Sequence, residues 1–257
     1  MKNSVLLIFA TILLSNTINA QLKPVKYADG TQVLNGLSIK AAKKSSQNPG
    51  ILLLPAWLGI DNASKEIAEN LSKLGYTVFI ADIYGEGNYP KNTTEAGKLA
   101  GHYKTNVAEY HKRINLALQE LVKSGANADN IVAIGYCFGG TGVLEAARVH
   151  LNVKGVASFH GSLGKDAARA VEPITAKVLV CHGADDPYES KEEITAFQQE
   201  MRDSKADWQM IYYANAVHSF TNPEAGNDNS KGAAYNAVAA KRSFDHLQLF
   251  LNEVLKK

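Results

Sequence analysis

Cys137 stands in the stretch GYCFGG (135–140), between a short apolar run, IVAI, and a segment of helical character, TGVLEAARV. Gly135 and Gly139 flank it at minus two and plus two. A nucleophile held on a sharp strand-to-helix turn needs such small neighbours, because the chain doubles back on itself. The turn also sets the thiol at the start of a helix, where the positive end of the dipole favours thiolate over thiol. Two further residues supply the rest of a nucleophilic triad. Asp186 follows the apolar run KVLVC within HGADDPY, and His218 follows WQMIYY within ANAVHSF. The order is nucleophile, acid, histidine, which separates this pattern from triads in which the histidine or the acid comes first. Three such residues, each just after a separate apolar run, are far more specific than the Gly-x-Cys-x-Gly turn alone.

The elements that must position them follow from the hydrophobic pattern. Short apolar runs occur at 51–54, 76–81, 131–136, 153–159, 177–181 and 208–213. Helical patterns lie between and after them, at 64–75, 94–125, 142–149, 190–201 and 233–255. This alternation predicts an α/β protein, a mostly parallel central sheet with helices on both faces. Residues 22–45 lack the alternation and are expected to form an antiparallel start to the sheet through VKYA and LSIKAAK. In open sheets of this kind ligands bind beyond the carboxyl ends of the strands, which is where the three residues fall. The loop PAWLGI after the first buried run is placed to supply one backbone donor for an oxyanion hole, and Phe138, next to the cysteine, supplies the other.

Composition sets the outer limits. The chain has 257 residues, 46% hydrophobic and 20% charged, with a formal net charge of +2. It carries no basic run that would suit nucleic acid. Residues 1–20 read as a secretory signal: Lys2, then the apolar VLLIFATILL, then SNTINA ending at Ala20. The apolar run is too short to span a bilayer, so no stable membrane anchor is expected. Residues 21–257 then form one domain, exported to the periplasm or beyond, as a monomer or small homo-oligomer.

GYCFGG at 135–140, HGADDPY at 182–188 and VHSF at 217–220 resemble the dienelactone hydrolase family, α/β-hydrolases with a Cys-Asp-His triad. The stretch Ala81-Asp82-Ile83-Tyr84 and the closing AYNAVAAKRS match as well, so the resemblance covers roughly residues 24–255. It implies an ester or lactone hydrolase with Cys137 as nucleophile, Asp186 as acid and His218 as base. It also implies an oxyanion hole of the Trp57 and Phe138 backbone N–H groups, and neither metal nor organic cofactor. Family members acting on dienelactone carry a glutamate in the first loop, where this chain has Ala56. They also carry two arginines near the substrate carboxylate, at places that correspond to Glu86 and Asn222 here. The triad is retained and the anion-binding apparatus is not, so the expected substrate is a small ester or lactone other than dienelactone.

Tyr84, Glu86 and Tyr136 are the expected substrate-binding side chains. For Trp57, Tyr84 and Tyr136 the sequence leaves open whether they line a pocket or pack. His160 and His182, at strand ends, read as hydrogen-bonded structural histidines rather than ligands. A disulfide between Cys137 and Cys181 is the plain alternative for an exported chain. The resemblance implies that the VKGVASF strand separates their strands, and two strand spacings of about 9–10 Å lie beyond the usual bridge. Two rival functions remain: a catalytically silent small-molecule-binding protein on the same fold, and a thiol-redox envelope protein. The second would want a resolving cysteine close in sequence, and there is none.

Overall fold

The computed structural model describes residues 21–257. The expected signal segment lies outside the described residues. Eight strands form one sheet: β1 (Lys23–Asp29), β2 (Gln32–Ile39), β3 (Gly50–Leu54), β4 (Thr77–Ile80), β5 (Ile131–Tyr136), β6 (Gly155–Phe159), β7 (Lys177–Gly183) and β8 (Trp208–Tyr213). The order across the sheet is β1-β2-β4-β3-β5-β6-β7-β8. The β1–β2 hairpin and its contact with β4 are antiparallel, and every other pair is parallel. The α/β class, the parallel centre and the antiparallel start agree with the sequence pattern.

Six helices cover the sheet: α1 (Asn62–Lys73), α2 (Thr93–Thr105), α3 (Val107–Lys123), α4 (Phe138–Arg148), α5 (Lys191–Asp203) and α6 (Ala237–Val254). The central strands read as unbroken apolar runs because both faces are buried. In β3, Leu52 and Leu54 join the core beneath α3, α4 and α5, while Ile51 and Leu53 join the core beneath α1 and α6. All four are fully buried, and each such side chain contributes about 1.5–3 kcal/mol relative to exposure.

The long helical pattern at 94–125 is two helices, not one. The chain breaks at Asn106, whose backbone leaves the helical region at φ −96° and ψ 60°. Its backbone N–H and its Nδ2 both donate to the His102 carbonyl, at 2.7 and 3.0 Å. This side-chain bond competes with continued helix, as asparagine commonly does. The break turns the end of α2, with Lys104, toward the loop after β6, where Lys104 Nζ donates to Ser162 Oγ at 2.9 Å.

Candidate active site

Cys137 sits between β5 and α4 at φ 52° and ψ −114°. A non-glycine residue pays roughly 1–3 kcal/mol to sit in such a region. Hydrogen bonds on both sides hold it there: its N–H donates to Phe159 O at 3.0 Å, and its carbonyl accepts from Thr141 N–H at 3.1 Å. The flanking glycines are a matter of contact. A Cβ on Gly135 would lie 2.0 Å from Gly139 O, and one on Gly139 would lie 2.1 Å from Leu54 O. The turn therefore closes against its own backbone and against β3, which leaves no room for any side chain at either place.

His218 is carried by the loop after β8. The segment before α6 clamps that loop from the other side: His218 N–H donates to Gly232 O at 3.1 Å, and Ala234 N–H donates to His218 O at 3.0 Å. The end of β7 meets the same loop closely, since a Cβ on Gly183 would lie 2.6 Å from Ala216 O. Asp186 follows β7 and is buried. Its Oδ1 accepts Tyr188 N–H at 3.0 Å, which leaves Oδ2 for the histidine. Asp185 faces solvent.

The three side chains form one hydrogen-bonded line. His218 Nδ1 is 2.9 Å from Asp186 Oδ2, and His218 Nε2 is 3.1 Å from Cys137 Sγ. Burial works to raise the thiol's pKa. The bond and positive charge from His218, the Phe138 N–H and the more distant Lys104 outweigh it, and the net shift is downward. Burial works to lower the pKa of His218, and its bonds to Asp186 and Cys137 raise it on balance. Both shifts favour the thiolate–imidazolium form of the pair, and Asp186 fixes the ring. That arrangement can attack a carbonyl carbon and return a proton to the leaving group.

Phe138 is the first residue of α4, and its N–H faces the sulfur. Trp57, half-buried in the loop after β3, has an N–H with no acceptor among the described residues. The two N–H groups expected to stabilise an oxyanion are therefore unspent by the fold. A cavity of about 70 Å³ opens beside the sulfur, lined among others by Ala56, Trp57, Tyr136, His160, Thr221 and Asn222. Among the described residues no Lys or Arg lines it, and the one carboxylate that does, Asp61, is engaged in capping α1 through Ser64.

Tyr136 lines this cavity. Tyr84 and Glu86 do not, and the expectation that they bind substrate is corrected. Tyr84 is buried and its hydroxyl donates to Trp57 O at 2.8 Å, so its polar end is spent on backbone. Glu86 is tied to the β1–β2 hairpin: its N–H donates to Val33 O at 2.8 Å, and its carboxylate meets Asn35 and Lys26 on the exposed side. The cavity includes Asn222.

His160, whose strand-end position reads as structural, lines the cavity. It bonds Thr221 Oγ1 through Nε2 at 2.8 Å and meets the His218 ring edge-on at 5.2 Å. Burial and the charge of His218 keep it neutral. His182 packs edge-on against Tyr212, and its Nδ1 has no hydrogen-bond partner among the described residues. Tyr110 also escaped the sequence reading. Its place on the buried face of α3 signalled that its hydroxyl needs a partner, but nothing in the sequence says which. Both cysteines are free, and β6 lies between their strands. Among the described residues no group of three His, Cys, Asp or Glu side chains could hold a metal, and no helix is long and apolar enough to cross a membrane.

A sequence profile of the dienelactone hydrolase family matches residues 37–255. The structure of a dienelactone hydrolase-like promiscuous phosphotriesterase from metagenomic libraries is similar, with 34% identity and a TM-score of 0.86 over 92% of this chain and 99% of that one. A Bradyrhizobium protein named "Probable 2-oxo-3-(5-oxofuran-2-ylidene)propanoate lactonase" is 25% identical over 79% of this chain and 83% of its own. The carboxymethylenebutenolidase of Rhodococcus opacus is 24% identical over 71% of this chain and 74% of its own. The chain belongs to the dienelactone hydrolase family, with the α/β-hydrolase fold, and is a hydrolase of carboxylic esters or lactones.

Proposed function

We propose that the protein hydrolyses a small, uncharged ester or lactone through a thioester on Cys137. The observation that carries this reading is the line Asp186–His218–Cys137, with gaps of 2.9 and 3.1 Å. The thiolate attacks the carbonyl carbon, and the carbonyl electrons move to an oxyanion held by Trp57 N–H and Phe138 N–H. Collapse expels the alkoxide, which takes the proton from His218 Nε2. In the second half, neutral His218 accepts a proton from water as its oxygen attacks the thioester carbon. The thiolate leaves, the acid is released, and the imidazolium is restored. Asp186 orients the ring throughout.

The absence of Lys and Arg from the cavity lining supports an uncharged acyl group. Its volume of about 70 Å³ supports a short one, since a cavity of about 150 Å³ is what holds a benzene ring. Against a silent binding protein stands the engaged triad. Against a thiol-redox protein stands the fully buried Cys181, with a whole strand between it and Cys137.

The experiment is a p-nitrophenyl acetate reaction followed at early times. A burst stoichiometric with enzyme, with an acetyl group recovered on the Cys137 peptide, is expected. Turnover with neither burst nor adduct, in enzyme quenched at early times, would sink the thioester route.

The export reading is proposed on the Lys2, apolar-run and Ala20 pattern. N-terminal sequencing of exported protein should begin near Gln21. Met1 retained on a soluble cytoplasmic pool would defeat it.

A further inference from the structure

Two buried phenols lie beneath the two backbone donors, and the mechanism above gives neither a task. Tyr84 Oη donates to Trp57 O at 2.8 Å, and Tyr110 Oη donates to Phe138 O at 2.9 Å. The acceptors are the carbonyls of the same two residues whose N–H groups the proposed mechanism assigns to the oxyanion. The rings form one stack with Phe138 in the middle. Its centroid is 5.8 Å from Tyr84 at an interplanar angle of 15°, and 4.6 Å from Tyr110 at 2°.

We propose that Tyr84 and Tyr110 are positioning residues that fix the two oxyanion donors relative to each other. The inference rests on the thioester reading and deepens it. The two donors come from loops far apart in sequence, one after β3 and one after β5. Neither N–H is spent in regular structure, so its direction depends on what holds its own residue. A carbonyl tether at each residue removes the freedom of the adjoining peptide, and the ring stack locks one tether against the other. Oxyanion donors are effective because they are already in place when charge develops, and such groups must be held to within about 0.5 Å.

The surrounding residues aim both phenols. Asp82 Oδ1 accepts Tyr84 N–H at 3.1 Å and Gly85 N–H at 2.9 Å, while its Oδ2 accepts Asn35 N–H at 2.8 Å and Tyr89 Oη at 2.7 Å. The carboxylate thus ties the loop that carries Tyr84 to the antiparallel hairpin. On the other side Gly142 makes room for Tyr110: a Cβ there would lie 2.3 Å from Oη. Burial raises the pKa of both phenols, so each remains a donor across the working range.

The test compares Tyr84→Phe and Tyr110→Phe with the wild-type chain, each first checked for its fold by circular dichroism. Two rates are read: single-turnover acylation by p-nitrophenyl acetate, and alkylation of Cys137 by iodoacetamide across pH. Loss of an oxyanion donor outright costs about a hundred- to a thousandfold. Loosening one is expected to lower the acylation rate constant about tenfold or more. Alkylation forms no oxyanion, so Tyr84→Phe should leave its rate and pH profile unchanged. Tyr110→Phe should lower acylation and also move the alkylation profile to higher pH, because Phe138 N–H faces the sulfur. Gly142→Ala should copy Tyr110→Phe, since it pushes the phenol off its acceptor. Should one variant fail to fold, the others decide. Acylation within about twofold of wild type in folded variants would overturn the inference, as would a loss in Tyr84→Phe that alkylation shares. Those outcomes leave the thioester reading standing if the wild-type enzyme still acetylates at Cys137. A Cys137→Ala protein that retained full esterase activity would overturn both.

Discussion

His218 Nε2 lies 3.1 Å from Cys137 Sγ, across 81 residues of sequence, and the contact favours the charged form of both groups. Burial alone would favour a neutral thiol beside a neutral imidazole. The bond, and the carboxylate of Asp186 behind it, reverse that outcome.

The first expectation concerns pH. With the thiol's pKa lowered, thiolate persists below the range of about 8.5 where a free cysteine loses its proton. The iodoacetamide rate profile of Cys137 should therefore lie at lower pH than that of a free cysteine thiol. His218→Ala removes the two largest lowering influences and leaves burial, so its profile should move up in pH past that of a free thiol. Identical profiles for the two proteins would remove the ion pair.

Activity should separate the two thiols. Cys137→Ala and His218→Ala should each lose at least about a thousandfold in kcat/KM without unfolding, since triad members act as a unit. Cys181 is fully buried, and burial pushes its pKa up to about 12. Cys181→Ala should leave kcat/KM within about twofold, and alkylation of the native protein should mark one thiol, with the second appearing after denaturation. A Cys181→Ala protein as inactive as Cys137→Ala would contradict this account.

Specificity should favour neutral substrates. A carboxylate entering the cavity loses water and meets no Lys or Arg among the described residues in return. A missing charge-assisted contact is worth roughly 1.5–3 kcal/mol, or about ten- to a hundredfold. Paired kcat/KM values for a neutral ester and its carboxylate-bearing analogue should differ in that direction. Glu86 adds no repulsion, because it faces away from the cavity. Arg148 and Arg169 are held by Glu145, and Arg148 also by Glu200. A preference for the anion that weakens with salt and disappears in Lys104→Met would reveal Lys104 as an anion receptor.

Acid stability should depend on Glu145. It is 4% exposed and carries hydrogen bonds from His111, Arg148 and Arg169. Burial works to raise its pKa, and those partners bring it down from 4.5 to about 2. A carboxyl whose pKa is lower in the folded state stabilises that state above its unfolded pKa. The contribution, about 3 kcal/mol, is lost as pH falls from about 4.5 toward 2. Urea unfolding across that range should show the loss, and Glu145→Gln should flatten it. Parallel curves for the two proteins would refute the assignment.

The sequence by itself determined the α/β class, the sharp turn at Cys137 and the order of Cys137, Asp186 and His218 along the chain. Each is written in local pattern: buried strands as unbroken apolar runs, the sharp turn as glycines around Cys137, and the loops as the residues that follow each run. The register of Asp186 and His218 was legible because both follow a strand directly, so the sheet delivers them to one edge. The tertiary structure decided what depends on where side chains point across elements. Glu86 left the site because the antiparallel hairpin holds its backbone, a contact between segments about fifty residues apart. The helix at 94–125 broke because Asn106 found a carbonyl to bond, a local competition that periodicity does not record. Tyr84 and Tyr110 reach the carbonyls of Trp57 and Phe138 through packing, with both rings stacked on Phe138. No spacing in the chain encodes a hydrogen bond to a backbone carbonyl, since every residue carries one and packing alone selects which is reached.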